Sequence, residues 1–227
     1  MVVPTHRAGP ATGTKLRLYP KPRKTSHGQG RQATDKADKP RTTRKTRGGR
    51  LNPSADILKA VSVPEHRAQA PASVRCSVFT ISDTRTAAND ASGDAIFEAL
   101  TTAGHHVGHR EIVRDEPLMV RDLVRAAAES AGTDVIITTG GTGITSRDST
   151  YEAIAGIITK RLDGFGELFR MLSYAEIGAA AMLSRAVAGT IGRTAIFSLP
   201  GSENAVRLAM TRLIIPELGH VVRELRR

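Results

Sequence analysis

The five residues Val135-Ile136-Ile137-Thr138-Thr139 run apolar and β-branched and then break into Gly140-Gly141-Thr142-Gly143, with a helical stretch beginning near Thr150. A run this short, bounded by glycines, reads as a buried strand that turns straight into a helix. The same alternation recurs along the chain. Residues 74–81 are apolar and β-branched, 89–104 carry helical spacing through Ile96, Phe97 and Leu100, and 105–113 alternate like a strand. Residues 118–131 repeat the helical pattern, 134–139 form the central strand, 150–159 read as a helix, 165–187 as broken helical segments, 194–199 as a strand and 204–225 as a terminal helix. Strands alternating with helices imply an α/β fold, a mostly parallel sheet covered on both faces.

Ahead of this pattern the chain has a different character. Residues 1–70 hold 16 Lys or Arg against four Asp or Glu, a net +12, so the whole of the formal charge of +11 lies there and the remaining 157 residues sum to −1. Residues 1–50, rich in Lys, Arg, Thr, Gly and Pro with single scattered apolar side chains, cannot bury enough surface to offset ordering entropy and read as a disordered basic tail. Residues 51–71, with a short helical pattern at 55–61 followed by Pro64 and Pro71, read as a linker, and 72–227 as the domain. The Lys and Arg clusters of the tail could neutralise phosphates of a nucleic acid or acidic partner, but Tyr19 is its single aromatic, so specific single-strand recognition is not expected and a solubilising extension is the favoured reading. No apolar run approaches the ~18 residues of a membrane span, and residues 1–30 lack a secretion signal, which makes a cytoplasmic protein the expectation. Cys76 is the sole cysteine and sits among apolar residues, which suits core filler and excludes a disulfide framework.

In open sheets of this kind ligands sit beyond the carboxyl ends of the strands, where loops converge and helix N-termini point outward. The polar residues concentrate at those ends. Glycines 140, 141 and 143 permit close backbone approach, so that successive N–H groups could converge on an anion. A glycine-rich turn with Asp148, Ser149 or Thr150 as helix cap accounts for the same residues. The loop matches neither the phosphate-loop motif nor the dinucleotide fingerprint. Arg147 and Asp148 stand side by side, a cation suited to phosphate beside a carboxylate suited to Mg²⁺. Asp115 and Glu116 follow the second strand on the same rim, where Asp115 and Asp148 could share one hard cation, or Asp115 could simply cap a helix. Ser82-Asp83-Thr84-Arg85 ends the first strand, Asn89, Asp90, Ser92 and Gly93 open the next helix, and Leu199-Pro200-Gly201-Ser202 precedes the last one. The seven histidines show no metal-ligand spacing and no serine has partners placed for a triad.

Taken in order, Ser82-Asp83-Thr84-Arg85, Asp90-x-Ser92-Gly93, Thr139-Gly140-Gly141-Thr142-Gly143 with Arg147-Asp148-x-Thr150, and Leu199-Pro200-Gly201-Ser202 resemble the MoaB/Mog family of molybdenum-cofactor biosynthesis proteins. The stretch from Gly164-Phe165-Gly166-Glu167-Leu168-Phe169-Arg170 to Met182-Leu183-Ser184-Arg185-Ala186-Val187-Ala188-Gly189 is similar to the MoaB branch in particular. The resemblance implies a three-layer α/β/α domain, a homotrimer or hexamer, that transfers AMP from Mg·ATP to the terminal phosphate of molybdopterin and releases pyrophosphate. It implies Asp115 and Asp148 as the catalytic and Mg²⁺-holding carboxylates. Ser82, Asp83, Asp90, Ser92, Gly93, Gly140, Gly141, Thr142, Gly143, Arg147, Pro200, Gly201 and Ser202 are then the expected substrate-binding residues, and a molybdenum-insertion protein is an expected downstream partner. Two positions depart from the family pattern, Arg114 and Glu203, where Pro is common. A carrier or scaffold that holds molybdopterin without transfer is the alternative the same fold allows.

Overall fold

The computed structural model describes residues 69–146 and 148–227. The expected tail and linker lie outside the described residues except for 69–71, as does Arg147.

The chain forms β1 (Arg75–Ile81), α1 (Ala91–Thr102), β2 (His106–Val113), α2 (Pro117–Glu129), β3 (Val135–Thr139), α3 (Thr150–Ala155), β4 (Lys160–Arg161), α4 (Asp163–Ile177), a 3-10 helix (Gly178–Leu183), β5 (Val187–Ile191), β6 (Thr194–Leu199), α5 (Glu203–Ala209), a π-helical segment (Met210–Ile214) and α6 (Ile215–Arg226). The six strands make one sheet in the order β2-β1-β3-β6-β5-β4. The β1–β2, β1–β3 and β3–β6 pairs are parallel, whereas β5 runs antiparallel to β6 and β4 antiparallel to β5.

Every residue of β3 and β6 is buried, as expected of central strands covered on both faces. One core layer joins the sheet to α1, α4, α5 and α6 through Ile96, Leu100, Phe169, Val206, Leu218 and Val222. The other packs Phe79, Ile136 and Ile196 against Val120 and Val124 of α2 and Ile154 of α3. The domain is therefore the three-layer α/β/α sandwich the sequence implies. Cys76 is buried, and that burial pushes its thiol up to about 12, consistent with a filler role.

Three expectations need correction. The helix expected over 150–159 ends at Ala155, and residues 160–161 form the edge strand β4. The helical reading of 165–187 runs one element too far, because Val187 begins β5. The terminal helix is divided, with five residues of π-helix between α5 and α6. Among the described residues no helix is long and apolar enough to cross a membrane.

Candidate active site

The loops after β1, β3 and β6 meet at one rim and enclose a cavity of about 200 Å³ lined by Thr80, Ser82, Ser92, Gly140, Gly141 and Gly201, among others. Backbone contacts lock this corner. Gly140 has φ of 100°, its N–H donates to Leu199 O at 3.1 Å, and a Cβ there would stand 2.2 Å from Ile81 O. Thr139 Oγ1 donates to Pro200 O at 2.9 Å, tying the β3 end to the β6 end. Only glycine fits at 140, so the glycine run is a close approach between three loops as well as a turn.

The two acidic residues singled out from the sequence flank that loop. A Cβ on Gly141, where φ is 61°, would stand 2.7 Å from Asp115 Oδ2, and a Cβ on Gly143 would stand 2.5 Å from Asp148 Oδ2. The Cα atoms of residues 141 and 143 are two residues apart, hence within about 7 Å. Asp115 is pinned there by Thr150 Oγ1, which donates to its Oδ1 at 2.9 Å, while Thr150 N–H donates to Gly141 O at 3.0 Å. Asp148 Oδ2 accepts from Thr145 Oγ1 at 2.5 Å and from Thr145 N–H at 2.9 Å. The Thr145 hydroxyl and amide, with the Gly143 amide and the charge of Arg185, hold the Asp148 carboxyl below the usual carboxylate range.

Helix capping explains neither residue. The N-cap of α2 is Glu116, which makes no side-chain cap bond, and that of α3 is Ser149, likewise without one. Capping does explain two others. Asp90 has no exposed surface, and its carboxylate accepts from Gly93 N–H at 3.0 Å, Thr80 Oγ1 at 2.9 Å and Arg110 Nη2 at 2.9 Å. It therefore anchors the cavity wall from inside the fold instead of facing a ligand. Ser202 caps α5, accepting from Ala205 N–H at 3.3 Å.

The remaining expected residues divide by position. Ser92 lines the cavity and donates to Gly201 O at 2.8 Å, and Gly93 lies so close to Asp90 that a Cβ would overlap its carboxylate. Ser82 Oγ accepts from the N–H groups of Thr84 and Arg85, folding the loop back over the rim. Asp83 is exposed and its Oδ1 lies 3.4 Å from Asp115 N; Thr142 is buried. Pro200 and Ser202 open onto a neighbouring cavity of about 440 Å³ between α4 and α5, bordered by Ser173, Glu176 and Leu208. The expected set thus spans two adjoining hollows.

The donor chemistry fits a small hard cation. Among the described residues no cluster of three His, Cys, Asp or Glu could hold a metal by itself. Two carboxylates across one loop, with the rest of the coordination left to water and phosphate oxygens, is the arrangement Mg²⁺ accepts.

Arg185 was given no role from the sequence. The reversal of β5 against β6 pairs Val187 with Ser198, so the residues just before β5 reach the same rim as the ends of the parallel strands. Arg185 stacks on the Tyr151 ring at 4.5 Å, and its Nη2 donates to Glu152 Oε1 at 2.6 Å. The signal that would have found it is the strand at 187–191.

Comparison with known proteins gives the family. A family model described as "Probable molybdopterin binding domain" matches residues 77–220. The Molybdenum cofactor biosynthesis protein B of Bacillus cereus is 55% identical over 168 residues, 74% of this chain and 99% of that protein. A crystal structure of a Molybdenum cofactor biosynthesis protein B superposes with a TM-score of 0.68 at 55% identity, covering 70% of this chain and 99% of that one. The tungsten cofactor synthesizing protein MoaB from Pyrococcus furiosus gives a TM-score of 0.62 at 41% identity, covering 70% of this chain and all of that one (100%). With motifs, topology and sequence in agreement, the chain belongs to the MoaB/Mog family, in its MoaB branch.

Proposed function

We propose that the domain serves molybdenum-cofactor biosynthesis by transferring AMP from Mg·ATP to the terminal phosphate of molybdopterin. The observation that carries this reading is the placement of Asp115 and Asp148 on either side of the glycine loop, each held by a hydrogen bond that capping does not require. The kinship with Molybdenum cofactor biosynthesis protein B supports the pathway.

The reaction needs no strong base, because the attacking phosphate oxygen is already anionic. A bond forms from that oxygen to the α-phosphorus of ATP, the bond to the bridging oxygen of the β-phosphate breaks, and the electron pair leaves with pyrophosphate. Catalysis is then alignment of two polyanions and relief of their repulsion. Asp115 and Asp148 would hold Mg²⁺, which supplies positive charge to the phosphates when bound. Thr150 fixes the Asp115 carboxylate, Thr145 fixes that of Asp148, and the N–H groups of Gly141 and Thr142 would donate to phosphate oxygens. The interlocked corner around Gly140 has little ordering left to lose on binding.

The same reading includes a homotrimer or hexamer. Leu168, Met171, Tyr174 and Ile177 on α4, with Met182 and Leu183 beyond it, are exposed and apolar, an area suited to a second copy. Sedimentation equilibrium reads this directly, and a monomer at micromolar concentration would remove it.

The decisive assay is pyrophosphate release with molybdopterin, ATP and Mg²⁺ for the wild type, Asp148→Asn and Asp115→Asn at matched oligomeric state. Wild-type turnover lost in both variants is the expected result. A wild type that binds molybdopterin but releases no pyrophosphate above background would replace the enzyme by a carrier or scaffold.

A further inference from the structure

Arg185 is a cation at the rim whose ion pair with Glu152 leaves part of its donor capacity unused. Its side chain is one quarter exposed, and its carboxylate partner Glu152 is far more open to water. A pair this accessible adds little to stability. Its Nε is nonetheless buried and has no hydrogen-bond partner among the described residues. The guanidinium carbon lies over the Tyr151 ring, 4.5 Å from its centroid, a contact that restrains the head group and weakens its hydration. Its charge is near enough to Asp148 to add to the hydrogen bonds of Thr145 and Gly143 in lowering that carboxyl's pKa. An arginine held over an aromatic ring near the Asp148 carboxylate, with a buried donor unspent, has the chemistry of an anion receptor.

We propose that Arg185 contacts the polyphosphate of the nucleotide, exchanging Glu152 for phosphate oxygens on binding. This rests on the reading of the rim as a nucleotidyl-transfer site, and it assigns the β- and γ-phosphates to the side of the glycine loop where α3 begins. The fold makes the assignment possible: the antiparallel β5 starts where β6 ends, which brings Arg185 from a segment 37 positions beyond Asp148 to the same end of the sheet. Because the leaving pyrophosphate carries most of the developing negative charge, a cation on it stabilises the transition state as well as the bound nucleotide. Glu152 occupies the guanidinium in the free protein and repels the same phosphates.

The experiment is calorimetric titration of the full chain with two probes, Mg·ATP and inorganic pyrophosphate, for the wild type, Arg185→Gln, Arg185→Lys and Glu152→Gln, alongside pyrophosphate release. Arg185→Gln is expected to weaken both probes roughly ten- to hundredfold, the loss of a charge-assisted bond. Arg185→Lys should fall between it and the wild type, since charge is kept and the planar fork is lost. Glu152→Gln removes a competitor and should bind both probes as tightly as the wild type or more so. Equal losses in Arg185→Gln and Glu152→Gln overturn the proposal, because they are the mark of a clamp on α3. So does a wild type that binds neither probe, or an Arg185→Gln protein with wild-type affinity. If Arg185-dependent binding is seen but no pyrophosphate is released with molybdopterin, the transfer reading fails and the polyphosphate contact stands. Turnover with kcat and KM for ATP unchanged in Arg185→Gln has the opposite meaning.

Discussion

Replacing Asp90 by alanine should destabilise the domain by about 3 kcal/mol, although the residue lies on what the sequence presents as a ligand-binding motif. The carboxylate is fully buried and serves three donors from three elements. Loss of the N-cap of α1 costs about 1 kcal/mol. The Thr80 hydroxyl, itself buried, is left without its acceptor, which costs about 1–3 kcal/mol. Arg110 loses less, under about 1 kcal/mol, because its side chain is 28% exposed and keeps Asp94 at 2.7 Å. For a domain of this size the change corresponds to a fall in Tm of about 6–12 °C. Urea denaturation at pH 7 measures it. Adding Thr80→Val to the alanine variant should recover about 1–2 kcal/mol, since removing both partners of a buried hydrogen bond is far less costly than removing one. Nucleotide binding should weaken in the single variant too, because Ser92, two residues along the chain at the start of α1, holds the Gly201 carbonyl at the cavity wall. A loss below about 1 kcal/mol, or no recovery on adding valine, would refute the assignment of Asp90 to the interior.

Gly141→Ala should abolish Mg²⁺-dependent turnover, because its Cβ would overlap Thr150 Oγ1 and press on Asp115, at a φ that itself costs about 1–2 kcal/mol; Gly104→Ala, at φ of 82° with open space around it, is the control that should keep activity. Burial of Asp134 opposes ionisation, but hydrogen bonds from the Arg75 side chain and amide and from Arg226 outweigh it and hold the carboxyl well below its usual range. A depressed folded pKa gives stability that is complete above the unfolded value near ~3.9 and lost as pH falls below it, so Asp134→Asn should be less stable at pH 7 and show a shallower loss between about pH 4 and 2 in urea titrations. Cys76, with its thiol pushed up to about 12 by burial, should resist iodoacetamide at pH 8 in the native protein and react only at the rate of unfolding, followed by mass.

The parallel half of the fold was readable because β1 and β3 are apolar, β-branched-rich runs that stop at Ser82 and Gly140, and because each of α1 and α2 carries one apolar stripe. The antiparallel half was not. Val187, Thr190 and Ile191 are β-branched, but they follow an alanine-rich helical stretch with no glycine or proline to separate them, and Gly189, present because Ile158 and Lys160 approach too closely for a side chain, interrupts the run. Its absence from the sequence reading hid Arg185. Asp115 and Asp148 could be named from the strand ends and the family resemblance, but spacing could not separate a ligand from a cap; the structure removes the cap reading, because Glu116 and Ser149 stand at the N-caps of α2 and α3. Asp90 is the reverse case: a capping sequence that is a cap, with Arg110 reaching it from the neighbouring strand in a way no local pattern encodes.

The interlocking of Gly140 with Ile81 and Gly201 also divides the molecule into an end that tolerates engineering and one that does not. At the opposite end of the sheet, Gly192 in the β5–β6 turn and Gly104 before β2 have nothing within 4 Å of where a Cβ would stand. Linkers, reporter insertions or new chain termini placed at Gly192 should therefore leave ligand affinity intact, whereas lengthening any of the three rim loops by one residue should separate surfaces that touch through backbone atoms alone.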